Sequence, residues 1–286
     1  MKKLIERLFI FLIGVPLFAA LVLFLPWKNH LALNLVITLL SALGAAEFAG
    51  MLNKKGFSVK RLEAFFWGML CPLAQTIEGS FFSRGGSIAV SAVFIAALSF
   101  IFAARVFARP EKLADALNYM LAGMAALVYP GIFMVSLIRL GTVEHAAAAL
   151  LTFLLIVFGS DSAAWAAGML FGRNNRGVIP ASPNKSAAGF VGGLAAAVAA
   201  GILAVYFAPR AFVPRFLPPL PAGFALGFFV GAAASLGDLA ESVMKRSAGV
   251  KDSGSLIPGR GGVLDSLDSV AFAAPVFFGL YRILFV

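Results

Sequence analysis

About nine stretches of this 286-residue chain are apolar over the length a helix needs to cross a bilayer. They lie at 8–25, 31–52, 62–77, 87–107, 113–138, 146–170, 187–207, 222–243 and 262–284. In lipid the backbone must satisfy its own hydrogen bonds, so runs of this kind fold as helices. The expected fold is therefore all-α: a polytopic integral membrane protein of about nine transmembrane helices. Composition agrees, with 61% hydrophobic and 13% charged residues, against about 25% charged in soluble domains. The first five runs fall in residues 1–140 and the last four in 141–286, read as one continuous membrane domain. The third run is the weakest, since it holds Pro72 and Gln75, and Pro130 should kink the fifth. The first run follows a basic start and is expected to be retained rather than cleaved. Between the seventh and eighth runs, five prolines in 208–221 read as an irregular loop. The small residues of 195–200 suit close helix packing.

A net charge of +10 would suggest nucleic acid in a soluble chain. Here the positive-inside rule and anionic lipid headgroups account for it, and no nucleic-acid partner is expected. With the N-terminus assigned to the cytoplasm and sides alternating, the cytoplasmic segments hold roughly three-quarters of the 23 Lys and Arg. The other side keeps Lys28, Arg84, Arg139, Arg210, Arg215 and Arg282. This places the C-terminus outside and the loops after the sixth and eighth runs in the cytoplasm, where nucleotides are available. The single Cys71 excludes an internal disulfide and reads as a packed residue. The two histidines, His30 and His145, fall in predicted loops far from the charged loops, which argues against histidine acid–base chemistry.

Charge concentrates at 237–269, between the last two apolar runs. Asp265 and Asp268 stand i, i+3 at the start of the last helix, after Gly261 and Gly262. That spacing puts both carboxylates on one face. Helix capping is the ordinary explanation of one such acid. Two at a membrane entrance point to a hard cation shared with phosphates, Mg²⁺ above all, with a second cation open. Asp238 and Glu241 repeat the spacing at the end of the eighth run. Asp238 would add a third ligand, while Glu241 could instead pair with Lys245 at i+4. Lys245, Arg246, Lys251 and Arg260 could each be positive-inside charges. Beside the acids and the glycines Gly249, Gly254, Gly259, Gly261 and Gly262, they look like phosphate binders.

A second polar stretch covers 159–189. Asp161 stands among apolar residues, either in a hydrogen bond within the bundle or on a substrate path. Ser182, Pro183, Asn184, Lys185 and Ser186 form a polar turn opening the seventh run. Ser186 is a candidate N-cap, and Lys185 beside a positive helix end could hold an anion. Glu47, in the second run, reads as a pairing residue within the bundle.

The 242–268 stretch, S-x-x-K-R-x4-K-D-x-G-x3-P-G-x-G-G-x-L-D-x-x-D, resembles the signature of the phosphatidate cytidylyltransferase (CDP-diacylglycerol synthase) family. The preceding Gly237-Asp238-Leu239 and Glu241 fit that family, as do Asp161-Ser162-Ala163-Ala164 and the turn 182–186. The likeness covers about the last 130 residues and is specific, because many polar positions must coincide. It departs at Arg260, where the family often has His, at Ser266, where it often has Arg, and at Ala188, where it has Glu.

The resemblance implies that CTP and phosphatidate give CDP-diacylglycerol and pyrophosphate with Mg²⁺, in phospholipid biosynthesis. It implies Asp238, Asp265 and Asp268 as metal ligands and, with Lys245 and Arg246, as the catalytic set. Ser182, Asn184, Lys185, Lys251, Arg260, Glu241 and Asp161 would bind substrate. Membrane lipids surround the chain, the site faces the cytoplasm of the inner membrane, and a homodimer is open. Two other readings stay open on the residues alone. One is a cation- or proton-coupled transporter, although no internal repeat is visible. The other is a CTP-dependent prenyl-lipid transferase or kinase.

Overall fold

The computed structural model describes residues 2–82, 88–257, 259 and 261–286, with backbone only for 2–12. The described residues are helical, with two isolated β-bridges and no strand longer than that. In chain order the helices are α1 (Lys2–Phe24), α2 (Trp27–Lys54), α3 (Arg61–Phe81), α4 (Ile88–Ala103) and α5 (Pro110–Leu113). α6 (Ala116–Ala126), a π-helical stretch (Leu127–Ile132) and α7 (Phe133–Leu140) run on as one rod. They are followed by α8 (Ala146–Phe171), α9 (Ala187–Phe207), α10 (Pro219–Ser247) and α11 (Leu264–Leu284). Among the described residues six are long and apolar enough to cross a membrane: α2, the α6–α7 rod, α8, α9, α10 and α11. Ile13–Phe24 and α4 are shorter apolar helices. The protein is an all-α integral membrane protein.

The chain divides into two compact units. The first comprises Met1–Thr142 and Met244–Leu267, the second Val143–Val243 and Asp268–Val286.

In the first unit α2 and α3 approach closely because small residues meet: a Cβ on Gly68 would sit 2.5 Å from the Ala45 Cβ. The third apolar run, weak as sequence, is a full helix turned inside out. Its Gln75, Thr76 and Glu78 are buried, while Leu62, Phe66, Ile77 and Phe81 face outward. Lipid suits that outer face, and buried polar side chains of membrane helices find partners across the interface. Thr38 Oγ1 lies 3.3 Å from Thr76 Oγ1, and Arg139 Nε donates to Gln75 Oε1 at 2.8 Å. Pro130 is absorbed in the π-helical stretch, and its carbonyl accepts the Ser41 hydroxyl. His30 is not in an open loop: it is buried within a left-handed turn, Lys28 to His30, with φ of 48°, 56° and 61°. Right-handed helix resumes at residue 31, where the sequence places the second span.

In the second unit glycines again set the spacing. A Cβ on Gly201 would lie 2.4 Å from the Gly223 carbonyl, so α9 and α10 touch backbone to backbone. On the face of α9 toward α8, a Cβ on Gly193 would lie 2.9 Å from the Ser160 carbonyl and one on Gly192 2.4 Å from the Ala167 Cβ. Phe212 packs edge to face on Tyr281 and on Phe285, and Tyr281 donates its hydroxyl to the Ala211 carbonyl at 2.9 Å. This seats the proline-rich connection. That connection is shorter than its prolines suggest, since Pro219 and Pro221 stand in the first turn of α10. Amides there have no partner within the helix, so proline costs no hydrogen bond.

Candidate active site

The first unit carries the signature loop on a lattice of carboxylate bonds. Asp265, in the first turn of α11, has both oxygens engaged. Oδ1 takes Lys245 Nζ at 2.6 Å. Oδ2 accepts from Gly262 N at 2.7 Å and from the Ser253 amide and hydroxyl, each at 2.9 Å. The Lys245–Asp265 pair is nearly buried, at 15% and 6% side-chain exposure. Lys245 and Arg246 end α10, where bases suit the helix dipole.

Beside this stands Glu47 of α2. It is buried, and its Oε2 accepts from Leu264 N at 2.9 Å and from the Ser253 hydroxyl at 3.2 Å. One hydroxyl proton cannot serve Asp265 and Glu47 at once, but with the Ser253 amide on Asp265 the hydroxyl can turn to Glu47, and Ser253 then links the two carboxylates. Ile257 and Gly261 exchange backbone bonds of 2.8 and 3.0 Å, pinching the loop. Gly261 has φ +111°, which a side chain would strain, and its space is closed by Asp265 and Asp252.

The second unit carries a cavity of about 330 Å³ between α8, α9 and α10. Asp161, Arg176, Asn184, Lys185 and Asp238 line it with Trp165, Met169 and Phe190. Lys185 Nζ is bonded to Asp238 Oδ2, both about 30% exposed, and stands 5.7 Å over the Phe190 ring. Ser186 caps α9 as expected, accepting the Gly189 amide at 3.1 Å. A β-bridge between Arg176 and Ser186 closes the 172–186 loop that presents Lys185. The Gly172 position leaves no room for a Cβ, which would fall 2.6 Å from the Ser186 hydroxyl. The site thus has a charged wall and an apolar wall, the chemistry of a headgroup with a chain attached.

The expected site residues therefore distribute as follows. Asp161, Asn184, Lys185 and Asp238 share the cavity of the second unit, with Asp161 exposed on its wall. Ser182 is half-buried, and its carbonyl accepts the Lys185 amide in the turn. Lys245 and Asp265 are joined in the first unit, so Lys245 reaches a partner twenty residues on. Glu241 is fully buried. Asp268 is buried in α11, its Oδ1 accepting the Ser269 amide at 2.5 Å. Arg246 and Lys251 are exposed. Arg260 lies outside the described residues. Sequence reasoning underrated Glu47 and missed Ser253; the only sign of Glu47 was a lone acid inside an apolar run.

Among the described residues no three His, Cys, Asp or Glu gather as a metal cluster. A divalent ion on phosphates needs fewer, since Mg²⁺ is commonly held by one or two carboxylates plus substrate oxygens. Asp161 and Asp238, both lining the cavity, are carboxylates of that donor class. Asp265 suits it only when Lys245 moves away, because both its oxygens are already bonded.

The model of the cytidylyltransferase family matches residues 5–284. The phosphatidate cytidylyltransferase of Synechocystis sp. is 38% identical over 122 residues, 43% of this chain and 39% of that protein. That of Haemophilus influenzae is 38% identical over 138 residues, 48% of this chain and 46% of its own length. That of Helicobacter pylori is 35% identical over 162 residues, 55% and 54%. The chain thus spans about half the length of the curated relatives it matches.

Proposed function

The chain belongs to the cytidylyltransferase family, and from that premise we propose that it makes CDP-diacylglycerol and pyrophosphate from CTP and phosphatidate. The observation that carries the reading is the two-sided cavity of the second unit. Lys185, Asn184 and Asp238 offer the phosphate chemistry, while Trp165, Met169 and Phe190 offer a surface for lipid.

The phosphatidate phosphate is already an anion, so the reaction needs no Ser, Cys or His nucleophile. A phosphate oxygen bonds to the α-phosphorus of CTP while the bond to the β-phosphate oxygen breaks, and pyrophosphate leaves. Catalysis is then positioning and charge neutralisation. Lys185 leaves Asp238 to meet a phosphate, and Lys245 and Arg246 neutralise the triphosphate. Lys251 and Arg260 add to that field, Asn184 and Ser182 orient substrate from the turn, and buried Glu241 supports α10 between the two bases and Asp238. Bound Mg²⁺ would supply further neutralisation of the leaving pyrophosphate. Asp238 would hold it with phosphate oxygens, Asp161 lining the same cavity. Asp265 and Asp268 stay in the proposed ligand set, Asp265 once Lys245 turns to substrate. The charge bias of the loops supports an N-terminus and active site in the cytoplasm of the inner membrane.

The test is purified protein in detergent with CTP, phosphatidate and Mg²⁺. Pyrophosphate and a liponucleotide should appear together, EDTA should abolish both, and Mg²⁺ or Mn²⁺ should restore them. Absence of pyrophosphate, with ion flux in liposomes instead, would replace the enzyme by a transporter.

A further inference from the structure

We propose that Glu47 is a positioning residue: from α2 it clamps the signature loop and thereby sets where Asp265 and Lys245 stand. The link to catalysis rests on the cytidylyl-transfer reading; the clamp itself does not.

A carboxylate in a membrane-crossing helix is costly and needs a reason. The bonds of Glu47 go to the Leu264 amide and the Ser253 hydroxyl, neither of them a base. If capping α11 were the whole task, a residue next to Leu264 would do it without crossing 217 residues of chain. The long reach instead ties the loop to α2, an element held by its close contact with α3.

The loop is shaped around this one side chain. A Cβ on Gly254 would lie 2.2 Å from Glu47 Oε1, and one on Gly262 would lie 2.3 Å from Oε2. Neither glycine has a positive φ; the Glu47 carboxylate excludes a side chain at Gly254, and at Gly262 it does so together with the Ser253 hydroxyl and the Gly254 backbone nitrogen. Ser253 carries the position onward, its amide donating to Asp265 Oδ2 at 2.9 Å while its hydroxyl serves Glu47, and Asp265 Oδ1 holds Lys245 at 2.6 Å. Glu47, Ser253, Asp265 and Lys245 form one hydrogen-bonded chain inside the first unit. Releasing its first member frees the others to shift, and a misplacement of about 1 Å can cost roughly 100-fold in rate.

Val263 is 4% exposed between Gly262 and the clamped Leu264 amide, so a cysteine there reports release of the loop. The experiment uses full-length protein carrying Cys71→Ala and Val263→Cys, labelled with a charged maleimide in detergent. Cytidylyl transfer is measured on the same Glu47 variants with Val263 intact. Glu47→Ala should label at least about ten-fold faster, as expected for losing a charge-assisted hydrogen bond. Its kcat should fall roughly 100-fold with KM for CTP nearly unchanged, because Glu47 holds the loop and not the substrate. Glu47→Gln keeps an oxygen for the Leu264 amide and should stay slow to label and largely active.

Unchanged labelling in Glu47→Ala overturns the clamp. So does a Glu47→Gln that labels slowly yet is as inactive as Glu47→Ala, for then charge and not position is what matters. If Glu47→Ala does not fold, Glu47→Gln decides alone, and loss of either slow labelling or activity overturns the proposal. Should the unmutated protein transfer no cytidylyl group, the proposed reaction fails while the labelling comparison still tests the clamp.

Discussion

Two lysine–aspartate pairs, one in each unit, differ in burial, and that difference separates their expected roles. Lys185–Asp238 is about 30% exposed, a setting where ion pairs contribute roughly 0–1 kcal/mol. Lys245–Asp265 is nearly buried, where removing one partner strands the other at a cost of about 3 kcal/mol or more. Asp238→Asn should therefore leave the thermal unfolding temperature almost unchanged. Its rate should fall roughly 100- to 1,000-fold, as when an electrostatic group of a transition state is removed. Asp265→Asn should lose activity and also unfold at a clearly lower temperature. Equal stability of the two variants, measured by thermal unfolding in detergent, would contradict this division of labour.

At the scale of elements, the helices of the second unit are spaced by glycine. A methyl group on Gly201 would meet the backbone of α10 at 2.4 Å, and backbone cannot swing aside as a side chain can. Gly201→Ala should therefore destabilise by about 1–3 kcal/mol through overpacking. Gly279 of α11 has open space around it, so Gly279→Ala should be neutral or stabilising by up to about 1 kcal/mol from helix propensity. The same unfolding measurement checks both, and a Gly201→Ala as stable as Gly279→Ala would mean the two backbones are not in contact. Cavity residues stand on α8, α9 and α10, so Gly201→Ala should also raise KM for phosphatidate.

For the whole molecule, the charge bias across the loops makes an orientation prediction independent of any motif. A reporter inserted near Gly177 should lie in the cytoplasm, and one fused after Val286 outside it. Both reporters on the same side would mean that the number of crossings between them is even, and the orientation would have to be redrawn. The six long apolar helices bear on this count directly, four of them falling after residue 142. Of these, α9, α10 and α11 lie between the two reporter sites, an odd number that agrees with opposite sides.

What the sequence determined by itself was the membrane class, the helical class and the family. Apolar runs of bilayer length leave the backbone no alternative to helix, so α8, α9 and α11 were legible to within a few residues. The family was legible in 242–268 because many charges and glycines stand there at fixed spacings in one loop. Only the tertiary structure decided what those charges touch. That α3 is a full helix was obscured because its polar residues face α2 and α7, a face that hydropathy counts against it. The Lys185–Asp238 bond spans 53 residues and the Glu47–Leu264 bond 217. Contacts of that separation leave no periodicity in a single sequence, and they arise only when packed helices bring distant side chains within reach.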